Sequence, residues 1–106
     1  MQTAAALRKA ALYIKKGFTK GACARNAGGW AVPIQDKTAC SFCILGAISK
    51  VVQDDAHPAF NYADNQLRLK EISGAAFLST WNDQRERTKE DVVNFLRACA
   101  NKLETD

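Results

Sequence analysis

No stretch of this 106-residue chain holds the roughly 18 consecutive apolar residues that a bilayer-spanning helix needs, so no membrane crossing is expected. The apolar opening, residues 1–11, contains Arg8 and Lys9, which is wrong for a secretory signal, and the expected location is cytoplasmic. A single histidine, His57, is present, so any imidazole chemistry has to run through it. The four cysteines, Cys23, Cys40, Cys43 and Cys99, are sparse for a disulfide scaffold and lack a secretory context; thiols are expected instead. No pair of carboxylates is set out for acid–base work, and Asp54-Asp55 reads as a solvated turn. No helix-turn-helix signature, ribonucleoprotein motif or phosphate-binding glycine loop is present, and Gly28-Gly29 alone means a turn. There is no repeat, linker or low-complexity tract.

What the chain does have is the balance of a folded globule. Apolar residues make up 47% and charged residues 25%, which excludes disorder as the main state. The length suits one domain, residues 1–106, with little margin for a large internal ligand cavity. The net charge of +4 hides a division: residues 1–50 set eight basic side chains against Asp36 alone, whereas residues 51–106 carry seven basic and ten acidic ones. Such asymmetry suits a basic patch for nucleic acid or for an acidic protein, and equally two halves that attract each other within one fold.

Hydrophobic periodicity predicts a mainly α fold, a compact helical bundle of about four to five helices with an irregular Gly-rich segment at 18–37. Residues 2–16 read as an amphipathic helix whose core stripe is Ala4, Leu7, Ala11 and Ile14, ended by Gly17 as a C′ glycine. Arg8 with Lys15 and Lys9 with Lys16 form two columns beside that stripe, and Leu12 projects between them. In the irregular segment, Ala31 to Ile34 are expected as a short strand or half of a hairpin. Thr38 suits the N-cap of a helix from about Ala39 to Val52, apolar almost all round and so central, with Gly46 and Ala47 small enough for another helix to approach. His57-Pro58 marks a break. A more polar helix follows over 59–71, then an interruption at Gly74, a short apolar segment over 75–81 and a charged turn over 82–87. Thr88 and Asp91 resemble a capping box for a last helix, whose buried face is Val92, Val93, Leu96, Cys99, Ala100 and Leu103.

Several motifs taken in order resemble a family of small bacterial and phage proteins known only as a domain of unknown function. They are Leu7 to Ile14, Gly17-Phe18, Gly21-Ala22 with Ala24-Arg25, Cys43-Ile44-Leu45-Gly46-Ala47-Ile48, Trp81-Asn82-Asp83, and Arg87-Thr88 leading into Val92-Val93. The resemblance covers nearly the whole chain. It implies a cysteine at the place of Cys43, after a bulky residue such as Phe42, but none at the places of Cys23, Cys40 or Cys99. It brings no reaction, cofactor or substrate, and none is read from the residues; its phage members imply action on a host system.

Four constellations are candidates for function. Cys23, Cys40, Cys43 and His57 would supply a Cys₃His set for zinc, but Cys40 and Cys43 are read within an apolar helix, where buried cysteine acts as a small hydrophobe. Cys43 as a nucleophile would need His57 as its base, and nothing in the spacing joins them. Trp81, Asn82, Asp83 and Arg87 are the residue types of a recognition loop or of a small active site. The plainer reading has Trp81 plugging the core, Asn82 or Asp83 capping the turn, and Arg87 pairing with Asp83 or a helix C-terminus. Arg8, Lys9, Leu12, Lys15, Lys16, Lys20 and Arg25 form a basic face for phosphate or for a protein partner, or an ordinary solvated surface. The favoured expectation is a non-enzymatic binding protein acting through a protein–protein surface, as a phage- or mobile-element-encoded inhibitor of a host defence system. The alternatives are a nucleic-acid or nucleotide binder using the basic face, and a small enzyme built on Asp83 and Arg87 or on Cys43.

Overall fold

The computed structural model describes residues 1–70 and 77–105, and the predicted break at Gly74 and the start of the 75–81 segment lie outside them. Among the described residues are α1 (Thr3–Lys16), β1 (Ala24–Arg25), β2 (Ser41–Phe42), α2 (Ile44–Val52), α3 (Pro58–Lys70), α4 (Leu78–Asp83) and α5 (Lys89–Thr105). The mainly α expectation holds.

The two long terminal helices pair along their lengths because each carries one apolar stripe. From α1, Ala6, Leu7, Ala10, Ala11 and Ile14 are buried, with Ala4 only half-buried. Three of those five are alanines, which lets the α1 backbone lie close to α5, its most extensive neighbour. From α5, Val92, Val93, Phe95, Leu96, Cys99 and Ala100 are buried. Against α1 packs α2, which gives Ile44, Ala47 and Ile48 to the same core, and α3, packed on both α1 and α5, adds Ala59, Ala63 and Leu67. The capping box at the head of α5 is present: the Asp91 N–H donates to Thr88 Oγ1 at 3.1 Å, and the Thr88 N–H donates to Asp91 Oδ2 at 3.0 Å. Pro58 opens α3 at a position where its missing N–H costs nothing, and the Ala59 N–H donates to His57 Nδ1 at 3.1 Å.

Several local expectations need correction. The second helix begins at Ile44, not at Ala39, and its N-cap is Cys43, whose sulfur accepts from the Gly46 N–H at 3.3 Å. Thr38 instead closes a small turn with Asp36, whose carboxylate accepts from the Thr38 N–H at 2.8 Å and from its hydroxyl. Residues 41–43 are extended because both edges of the strand at Phe42 are claimed. The Phe42 N–H donates to the Gly17 carbonyl at 2.9 Å, and its own carbonyl accepts from the Thr19 N–H at 3.1 Å. On the other side β2 pairs antiparallel with β1, Ala24 opposite Phe42 and Arg25 opposite Ser41.

Accordingly the strand in the Gly-rich segment is Ala24–Arg25; of Ala31 to Ile34 only the start is paired, as half of a small hairpin, by the antiparallel Arg25–Ala31 bridge and the Val32 N–H donating to the Ala24 carbonyl at 3.1 Å. Gly17 does end α1, but in an extended conformation (φ −168°), not the left-handed one of a C′ glycine. Glycine is required there by proximity: a Cβ would stand 2.2 Å from the Cys40 carbonyl oxygen. The same holds at Gly46, where a Cβ would stand 2.0 Å from the Cys23 carbonyl oxygen. What approaches α2 closely at that point is therefore the backbone entering β1, not a second helix.

Candidate functional site

The tryptophan of the 81–87 stretch is 5% exposed, and its ring lies 4.9 Å from that of Phe95. Next to it, Asn82 is fully buried and belongs to α4, not to the turn after it. Its Oδ1 accepts from the Ile44 N–H at 2.9 Å, satisfying a donor in the first turn of α2, and its Nδ2 donates to the Thr19 carbonyl at 3.2 Å and to Asp83 Oδ1 at 2.9 Å. One amide thus joins α4, α2 and the segment after α1. Asp83 Oδ1 also accepts from the Gly21 N–H at 3.1 Å.

Arg87 closes the C-terminus of α4. Its Nε donates to the Trp81 carbonyl at 3.0 Å, its Nη2 donates to Gln84 Oε1, and its guanidinium lies 4.1 Å from the centre of the Trp81 ring. Asp91 stands 3.9 Å from Nη1. Asp83 and Arg87 therefore bond away from each other into the backbone of different segments.

The basic residues divide in the same way. Arg8 forms an ion pair with Glu104 and donates to Asn101 Oδ1 at 2.7 Å, which joins the basic N-terminal half to the acidic C-terminal half. Lys20 leaves the face altogether: its ammonium donates to the Gln84 and Arg85 carbonyls at 2.7 and 3.2 Å, past the end of α4. Arg25 is spent inside its own loop, donating to Thr19 Oγ1, to the Gly29 carbonyl and to the Lys20 carbonyl. By contrast, the ammonium groups of Lys9, Lys15 and Lys16 make no hydrogen bond or ion pair among the described residues. Lys9 and Lys16 line a shallow depression of about 210 Å³ with Leu12 and Tyr13, and Leu12 is 53% exposed. Lys15 lines a second depression beside Lys89, Glu90 and Arg97 on α5.

The four cysteine and histidine candidates do not converge as a set. The His57 ring accepts at Nδ1 from the Ala59 N–H, so Nε2 carries the proton and donates to the Met1 carbonyl at 2.8 Å. Both imidazole nitrogens are thereby engaged at the start of α3. Cys40 is exposed before β2, and Cys43 is buried at the head of α2, so they do not share a helical face as expected. Burial pushes the Cys43 thiol up to about 11, the opposite of what a nucleophile requires. Among the described residues no group of three or more His, Cys, Asp or Glu side chains gathers to hold a metal.

Two features escape a reading of the sequence. Trp30 is 74% exposed on a turn that Asn26 organises, its Oδ1 accepting from the Gly28 and Trp30 N–H groups at 3.0 and 3.1 Å. The Asn26-Ala27-Gly28-Gly29 run is the signal for that turn, and nothing in it says that the aromatic after it faces outward. The other is the placement of Cys23 across from Cys43, which only strand register creates.

Fold and surface together define a small α-helical protein with a two-stranded clasp and a lysine-flanked apolar spot on its first helix. The chain belongs to a family of unknown function, DUF6197, whose model matches residues 1–102. No curated protein and no solved structure matches it.

Proposed function

We propose that the protein is a non-enzymatic binding module that docks an acidic protein surface through the outer face of α1. The observation that carries this reading is Leu12, half-exposed between two columns of cations, with the Lys9 and Lys16 ammonium groups beside it unpaired among the described residues. An apolar anchor inside a charged rim is the ordinary anatomy of a protein-docking patch. Enzymatic alternatives lose their groups to the scaffold: Asp83 and Arg87 hold backbone together, and Cys43 caps a helix as a buried neutral thiol. A phosphate-binding face is weakened likewise, since Arg8, Lys20 and Arg25 are committed to internal partners. The resemblance to a family of small bacterial and phage proteins supports extending the proposal to a partner within a bacterial host machine, which docking would block.

The test compares tagged wild-type protein with Leu12→Asp and Lys9→Glu/Lys16→Glu in pull-downs from bacterial lysate, with and without nuclease. The reading predicts a stoichiometric protein partner that survives nuclease and is lost with both variants. Capture that nuclease abolishes, or a partner retained equally by both variants, contradicts it.

A further inference from the structure

β1 and β2 place Ala24 opposite Phe42, and one step along the ladder the Cys43 N–H donates to the Cys23 carbonyl at 3.1 Å. Cys23 and Cys43 therefore stand directly across from each other. Antiparallel partners joined by such a bond have Cα atoms about 5.5 Å apart, within the range of roughly 4.4–6.8 Å that disulfides span. Opposed side chains leave a ladder on the same face, and successive pairs alternate. Ala24 and Phe42 both point into the core, so the cysteine pair turns to the other face. There both cysteines line one shallow depression of about 200 Å³, beside Ser79 and Asp83. Cys23 is exposed and Cys43 is buried behind it.

We propose that Cys23 and Cys43 are a reversible thiol-oxidation site, closing to a disulfide on exposure to a small-molecule disulfide of the glutathione type. The exposed Cys23 acts first. Its thiolate forms a bond to one sulfur of the oxidant, and the other sulfur leaves as a thiolate that takes up a proton. The second step is the slow one, because burial keeps Cys43 protonated: the small fraction that has released its proton to solvent attacks Cys23, and its sulfur displaces the remaining small thiolate, which takes up a proton. In sum two cysteine thiols are oxidised to one disulfide while one small disulfide is reduced to two thiols. The new bond ties the entry to β1 to the first turn of α2, where Cys43 is the cap and Gly46 packs against the Cys23 carbonyl.

The experiment treats the native full-length chain with oxidised glutathione, denatures it in maleimide, and maps the cysteines by peptide mass spectrometry. Cleavage after Phe42 separates Cys40 from Cys43. The expected result is a linked Cys23–Cys43 peptide, with loss of maleimide from both and retention of maleimide on Cys40 and Cys99; a thiol reductant restores all four adducts. A Cys43→Ser variant keeps a capping oxygen at α2 and is expected to hold one glutathione on Cys23. A Cys23–Cys40 linkage, or wild-type protein that stops at the Cys23 glutathione adduct, overturns the proposal.

Discussion

Residues 81–87 and the outer face of α1 carry similar side chains, an apolar group among polar and cationic ones, yet their polar atoms meet opposite ends. In the first region the Asn82 amide, the Asp83 carboxylate and the Arg87 guanidinium are all used on backbone or neighbouring side chains. In the second, Lys9 and Lys16 hold their charge over solvent around an uncovered leucine. Residue type alone does not separate scaffold from surface; the destination of each hydrogen bond does.

If that contrast is right, truncation inside the first region unfolds the protein and truncation in the second does not. Asn82→Ala is expected to have the largest effect, about 3 kcal/mol lost in urea unfolding, because it strands the buried Ile44 N–H and removes the partner of the half-buried Thr19 carbonyl. A loss below about 1 kcal/mol would mean that water replaces the amide and that the residue is not a structural tie. Arg87→Ala comes next, at about 1.5 kcal/mol, from the lost bond to the Trp81 carbonyl and the uncovered Trp81 ring.

A smaller effect is expected at the head of α5. The Thr88 backbone N–H, together with the neighbouring hydroxyl and Arg87, holds the Asp91 carboxyl below its usual range. A depressed folded-state pKa contributes stability that is present above the unfolded value, near 3.9, and is lost as pH falls through the folded one. Asp91→Asn should therefore lower the urea midpoint at neutral pH and flatten its fall in acid. An unchanged acid limb would remove the carboxylate from the account. Leu12→Asp should matter least to folding, within about 0.5 kcal/mol.

How far this was legible in the sequence follows from the same physics. α1 and α5 could be read because one apolar stripe repeats over three or more turns, and the Thr88–Asp91 box is a local code. The start of α2 could not. Residues 39–43 carry no periodicity that distinguishes strand from helix, and what makes 41–43 extended is a pair of neighbours, 17–19 and 23–25, distant in sequence. The error propagated to the site, since a helical Cys40 and Cys43 would share a face, whereas the strand sets Cys43 against Cys23. Residue types in the 81–87 stretch allow Trp81 in the core and Arg87 at a helix end; they do not say that Asn82 accepts from the first turn of α2, because that helix lies 38 residues away. The basic face was half legible: helical spacing puts Lys9, Leu12 and Lys16 together, but no spacing rule says that Arg8, Lys20 and Arg25 are already engaged.

The most direct test of the central contrast sets Leu12→Asp beside Arg87→Ala and measures, for each, the urea midpoint and the retention of a nuclease-resistant protein partner. The account predicts that Leu12→Asp keeps the wild-type midpoint and loses the partner, while Arg87→Ala lowers the midpoint and, where folded, keeps the partner. The opposite pattern, with binding lost at Arg87 and untouched at Leu12, would make the 81–87 stretch the binding site and contradict the account.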